Sequence, residues 1–89
     1  MVEVDIKFCD SAFTHGITEE DIRWAIDSAI YDGYLENDED AGNKRLLVGF
    51  DRKGNPIEVY YNILDQNTVR VFHSMEYRSI HDKYIKNRR

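Results

Sequence analysis

Val2, Val4 and Ile6 alternate with Glu3, Asp5 and Lys7 at the start of the chain. A period of two predicts a short strand; a frayed helix starting near Asp5 is the alternative. "DSAFTHG" (10–16) reads as a short helix closed by Gly16. The next stretch, "GITEEDIRWAIDSAIYDG" (16–33), is the clearest element. Thr18 is an N-cap, Asp21 three residues on completes a capping box, and Ile17 and Ile22 form a staple. Glu19, Glu20 and Asp21 fill the first turn, where the helix dipole favours acids. Ile22, Ala25, Ile26, Ala29 and Ile30 recur at helical spacing, and Gly33 ends the pattern. "YLENDEDAGN" (34–43) is a polar loop that starts with a short edge strand at most.

Three strand-like runs follow. "KRLLVGF" turns through "DRKGNP" into "IEVYYNIL", which turns through "DQN" into "TVRVFHSM". Gly, Asn and Pro in those turns predict an antiparallel meander. "EYRSIHDKYIKNRR" closes the chain as a basic helix. The order β-α-α-β-β-β-α predicts one α+β domain over residues 1–89, a small antiparallel sheet with helices packed mainly on one face. Strand parity assigns Leu46, Val48 and Phe50, then Ile57, Val59, Tyr61 and Ile63, then Val69, Val71, His73 and Met75 to the helix side. The other face collects Arg45, Leu47, Gly49, Glu58, Tyr60, Asn62, Arg70, Phe72 and Ser74.

Composition narrows the class. The 89 residues are 42% apolar and 12% aromatic, enough for one core and against disorder. A lone Cys9 fits a reducing compartment, and no apolar run reaches the ~20 residues that span a bilayer. The expectation is a soluble cytoplasmic protein with no membrane contact. The net charge of −5 is unevenly spread. Residues 1–42 carry twelve acids and two bases, a charge of −10; residues 43–89 carry ten bases and five acids, a charge of +5. The second half therefore suits a polyanion or an acidic partner, with ordinary solvated surface as the plain alternative. His15, His73, His81 and Cys9 have no metal-ligand spacing, and neither Rossmann nor P-loop glycines occur, so no metal or cofactor is expected.

The ordered set "HGIT-EEDI-RWAI", "RLLVGFDRKGNPIEV" and "VFHSMEYRSIHDKYI" resembles the BrnT-like toxins of bacterial type II toxin–antitoxin modules, part of the RelE/ParE superfamily. The likeness covers residues 12 to 85. It rests on His15-Gly16-Ile17 at the helix entry, Gly49, Asp51 and Gly54 in the hairpin, and Ser74, Arg78 and Tyr84 at the end. The resemblance implies a RelE-like fold and a metal-independent mRNA endoribonuclease. It implies inhibition by a cognate DNA-binding antitoxin, in a complex that represses its own operon. In such toxins the RNA 2′-hydroxyl attacks the adjacent phosphorus, with protein groups moving protons and cations stabilising the phosphorane.

That chemistry selects Arg78 and Arg70 for phosphate, and His15, His73, Glu58 and Tyr84 for proton transfer. Lys44, Arg45, Arg52 and Lys53 are the supporting RNA-binding cations. Each has a structural alternative. Arg78 pairs at a helix start, Glu58 and Arg70 form a cross-strand ion pair, Tyr84 is core, and His15 caps a helix end. Parity makes His73 chiefly a core residue and leaves Arg78 for function, so that Arg78→Ala should spare the fold. The alternative function is a non-catalytic toxin-fold protein that binds a protein target or partner.

Overall fold

Thr18 starts the longest helix as expected. Its hydroxyl accepts the Asp21 backbone N–H at 3.2 Å and donates to the Asp21 carboxylate, also at 3.2 Å. The computed structural model describes residues 4–34 and 44–86. The expectations for Val2 and Glu3, for the loop 35–43 and for the basic end 87–89 lie outside the described residues. Helix α1 runs Glu19–Asp27, following strand β1 (Asp5–Phe8) and a 3-10 turn (Asp10–Phe13). Ile22 and Ala25 are buried. Gly33 does not end α1. Ser28 does, five residues earlier: its hydroxyl donates to the Trp24 carbonyl at 2.8 Å and accepts the Phe50 N–H at 3.0 Å. This ties the helix end to the sheet and leaves Ala29 and Ile30 exposed.

The residues after the cap form an edge strand, β2 (Tyr31–Tyr34). β3 (Lys44–Phe50), β4 (Pro56–Asp65) and β5 (Thr68–Glu76) are the expected meander. A 3-10 turn (Ser79–His81) and a short helix, α2 (Asp82–Lys86), are the last of the described elements. The five strands lie in the order β1-β5-β4-β3-β2. All neighbours are antiparallel except β1 and β5, which are parallel. The architecture is the α+β class that the pattern predicts, with a mixed sheet. In the β3–β4 turn Asp51 accepts backbone N–H groups of Lys53 and Asn55 at 2.9 and 2.8 Å, and Gly54 takes φ 88°.

One sheet face packs under α1 and the first 3-10 turn. Its core contains Ala12, Ile22, Ala25, Leu47, Ile57, Val59, Tyr61 and Val71. Burying each large aliphatic side chain stabilises the fold by about 1.5–3 kcal/mol. The other face carries Leu46, Val48, Glu58 and Tyr60, and the terminal segment lies against it through His81 and Tyr84.

Two parity assignments need correction. β3 is reversed: Leu47 pairs with Val59 and Gly49 with Ile57, so Leu47 and Gly49 face α1 while Val48 points away from Val59 and Val71. Gly49 is the contact point. A Cβ there would sit 2.0 Å from the Ala25 carbonyl oxygen, so only glycine lets α1 approach. β5 changes parity midway. Tyr60 pairs with His73 but Tyr61 with Val71, so Phe72 is an extra residue, a β-bulge. Ser74 therefore turns into the core, fully buried and donating to the Ala12 carbonyl at 2.7 Å. His73 and Met75 go to the other face, opposite to their expected side.

Candidate acid-base site

Glu58 is the centre of the second face. Its neighbours on β4 alternate inward with Ile57 and Val59, and parity sends its carboxyl the other way, where it is fully buried. A buried carboxylate needs hydrogen bonds and a counter-charge. Arg78 supplies both. Its backbone N–H donates to Oε1 at 3.0 Å, and its Nε and Nη2 donate to Oε2 at 3.1 and 2.5 Å. The bidentate pair raises the Arg78 pKa further, chiefly through the Glu58 hydrogen bond. Arg78 remains 41% exposed, so part of its guanidinium faces solvent.

Three more polar rings complete the cluster. His81 Nε2 lies 3.3 Å from Glu58 Oε2 and 3.3 Å from the Tyr60 hydroxyl. The Tyr60 hydroxyl also accepts Arg78 Nη2 at 3.3 Å, and burial followed by the Glu58 charge pushes its pKa up. His73 lies against Tyr60, ring centroids 4.8 Å apart, with Nε2 3.9 Å from Glu58 Oε2. That is ion-pair range but beyond a hydrogen bond, and this buried Nε2 has no hydrogen-bond partner. Desolvation, then repulsion by His15, lowers the His73 pKa, partly opposed by Glu58. The net effect favours the neutral imidazole, the form that can accept a proton. His15 stacks edge-on against it at 5.2 Å, held in the turn that Gly16 closes onto the Phe13 carbonyl.

The structure thus brings together His15, Glu58, His73 and Arg78 of the expected residues. Arg70 is separate: its Nη2 donates to Asn62 at 2.9 Å, and no Glu58–Arg70 pair forms. Tyr84 stacks on Tyr31 at 5.1 Å and beside His81 at 6.1 Å. Arg45 points to the α1 side, bonding the Tyr61 hydroxyl at 2.9 Å and reaching Asp32 at 3.5 Å. Tyr61 donates to Asp32 at 2.5 Å, and burial with that bond pushes its pKa to about 12. Arg52 is paired with Asp21 at 2.8 Å, and Lys53 sits in the exposed hairpin turn. Lys44 alone of the four supporting cations shares the face of Glu58.

Tyr60 and His81 are members that sequence reasoning did not select. For His81 a signal existed: it follows Arg78 by three residues, one turn, and its N–H donates to the Arg78 carbonyl at 3.1 Å. An apolar pocket of about 180 Å³ lies on the opposite face, lined by Ile6, Ile26, Leu47 and Tyr61, away from this chemistry. Among the described residues no helix is long and apolar enough to cross a membrane. Comparison with protein-family models, curated proteins and solved structures finds no match to the chain.

Proposed function

We propose that this protein is a metal-independent endoribonuclease acting as the toxin of a toxin–antitoxin pair. The observation that carries the reading is the cluster around Glu58: the His73 imidazole 3.9 Å from its carboxylate, a second imidazole, His15, beside His73, and the partly exposed Arg78 guanidinium paired with the same carboxylate. His73 takes the proton from the RNA 2′-hydroxyl as the 2′-oxygen forms its bond to phosphorus. The imidazolium so formed has Glu58 as its counter-charge. Arg78 stabilises the charge on the phosphorane oxygens. His15 delivers a proton to the 5′-oxygen as the P–O5′ bond breaks. The products are a 2′,3′-cyclic phosphate and a 5′-hydroxyl. Tyr60 and His81 position Arg78 and Glu58. The RelE-like resemblance adds an inhibitory partner, a DNA-binding antitoxin that covers the basic second half and represses the shared operon.

A second reading rests on the depth of Glu58. Its charge is already matched by Arg78, so the same cluster serves as a structural lock in a non-catalytic protein that binds a protein target. Induced expression separates the two. The ribonuclease reading predicts growth arrest and RNA cleavage, free or in a translating extract, lost together in His73→Gln and in His15→Gln. Growth arrest that survives both substitutions without RNA cleavage supports the binding reading. Co-expression with the product of an adjoining gene should recover a stoichiometric complex and relieve the arrest.

A further inference from the structure

The second face carries a cross-strand row that the acid-base cluster does not use. Lys7 on β1 is level with Arg70 on β5, Arg70 with Asn62 on β4, and Asn62 with Lys44 on β3. Ile6, Phe8, Val69 and Val71 pack into the α1-side core, so Lys7 and Arg70, at the alternate positions, are on the other face. Strands are ~4.8 Å apart, so the four backbones span about 14 Å. Arg70 donates to Asn62 at 2.9 Å, which lays its guanidinium across the sheet. Lys7 is 60% exposed and pairs loosely with Asp5 at 3.8 Å. Asn62 is two residues beyond Tyr60 on β4, roughly 7 Å along the strand. Phe72 precedes His73 on β5 and Tyr60 is the cross-strand partner of His73, with the Tyr60 and Phe72 ring centroids 6.1 Å apart. A line of three cations thus runs beside aromatic rings and leads to the acid-base groups, on a chain whose net charge is −5. That arrangement suits a single-stranded nucleic acid, whose phosphates need point charges and whose bases need flat surfaces.

We propose that Lys7, Arg70 and Lys44 form the backbone track that holds single-stranded RNA next to the His73–Arg78 site. The proposal rests on the ribonuclease reading and deepens it: it assigns a phosphate-binding surface and excludes the cations at Arg45, Arg52 and Lys53.

The test is the salt dependence of binding to a mixed-sequence 2′-O-methyl oligoribonucleotide, which the 2′-hydroxyl mechanism cannot cleave. Each track cation that neutralises a phosphate contributes about 0.7 to the slope of log affinity against log salt. Lys7→Ala, Arg70→Ala and Lys44→Ala should each flatten the slope by about that amount, and the triple variant by about 2. Arg52→Ala and Lys53→Ala should leave it unchanged. Thermal melting checks that the variants fold. If the wild-type protein cleaves RNA but the triple variant keeps the wild-type slope, the track is overturned and the ribonuclease reading stands. If the wild-type protein neither binds nor cleaves RNA, both fall. Equal binding of a glutamate-rich peptide through the same residues would overturn the RNA assignment.

Discussion

Arg78→Ala should unsettle the fold. Glu58 is fully buried, and the substitution deletes the two guanidinium bonds at 3.1 and 2.5 Å. The backbone N–H at 3.0 Å and His81 at 3.3 Å remain, and neither replaces the two lost guanidinium hydrogen bonds. Breaking a buried ion pair from one side costs about 3–5 kcal/mol. Arg78 is 41% exposed, so water enters the vacated space and the lower end applies, about 3 kcal/mol. For a domain of this size that is a fall in melting temperature of about 12–24 °C. The carboxylate itself is the source of the penalty, so the loss should be conditional. In a Glu58→Gln background the same Arg78→Ala change should cost about 1 kcal/mol, a coupling of about 2 kcal/mol. The assay is urea denaturation followed by circular dichroism on the wild type, both single variants and the double. Additive losses, or an Arg78→Ala cost below about 1 kcal/mol, would refute the claim that Arg78 neutralises a buried charge. The burial of Glu58 thus predicts the opposite of the expectation from sequence that Arg78→Ala spares the fold.

Gly49→Ala places a methyl 2.0 Å from the Ala25 carbonyl and should cost about 3 kcal/mol or more, read as a lower melting temperature and weaker α1 packing. Asp21 is held at a pKa of about 2 by the Arg52 side-chain hydrogen bond and then by the Arg52 N–H. Its contribution is therefore present above the unfolded value near 4 and lost as pH falls toward 2. With Arg52 half exposed, Asp21→Asn should cost about 1 kcal/mol at pH 7 and flatten acid denaturation between those limits. The lowered His73 pKa means that the unfolded chain binds the proton more readily, so wild-type stability falls as pH drops through about 6.5. His73→Gln should remove part of that fall, seen as parallel melting temperatures at pH 7 and pH 5.

Periodicity located the strands and the helix start because those signals are local. The capping of α1 by Thr18 and the turn chemistry of Asp51 and Gly54 needed no tertiary information. Face assignment failed where the pattern carries no contrast. Leu46, Leu47 and Val48 are all buried because protein covers both sides of β3, so hydrophobicity there cannot say which side meets α1. Gly49 held the answer, since close helix approach needs a residue without Cβ. The Phe72 bulge is set by pairing with β4 and reverses every later residue of β5, which moved His73 from the predicted core to the candidate site. The helix end was misread because Gly33 is a stronger local signal than Ser28, whose capping role depends on Phe50, twenty-two residues away. Of the site, Glu58 and Arg78 were legible as residue types. Their partnership with Tyr60 and His81 depends on the fold of the terminal segment over the second face.

The ends of the RNA fragments test the central claim most directly. Purified protein is incubated with end-labelled single-stranded RNA, alone and in a translating extract, with and without EDTA, and the 3′ termini are identified. Attack by the 2′-hydroxyl, with His73 as base and Arg78 at the phosphorane, predicts 2′,3′-cyclic phosphate ends. It predicts an unchanged yield in EDTA and no cleavage by His73→Gln. RNA left intact by a folded wild-type protein under both conditions, or fragments ending in a 3′-hydroxyl, would contradict it.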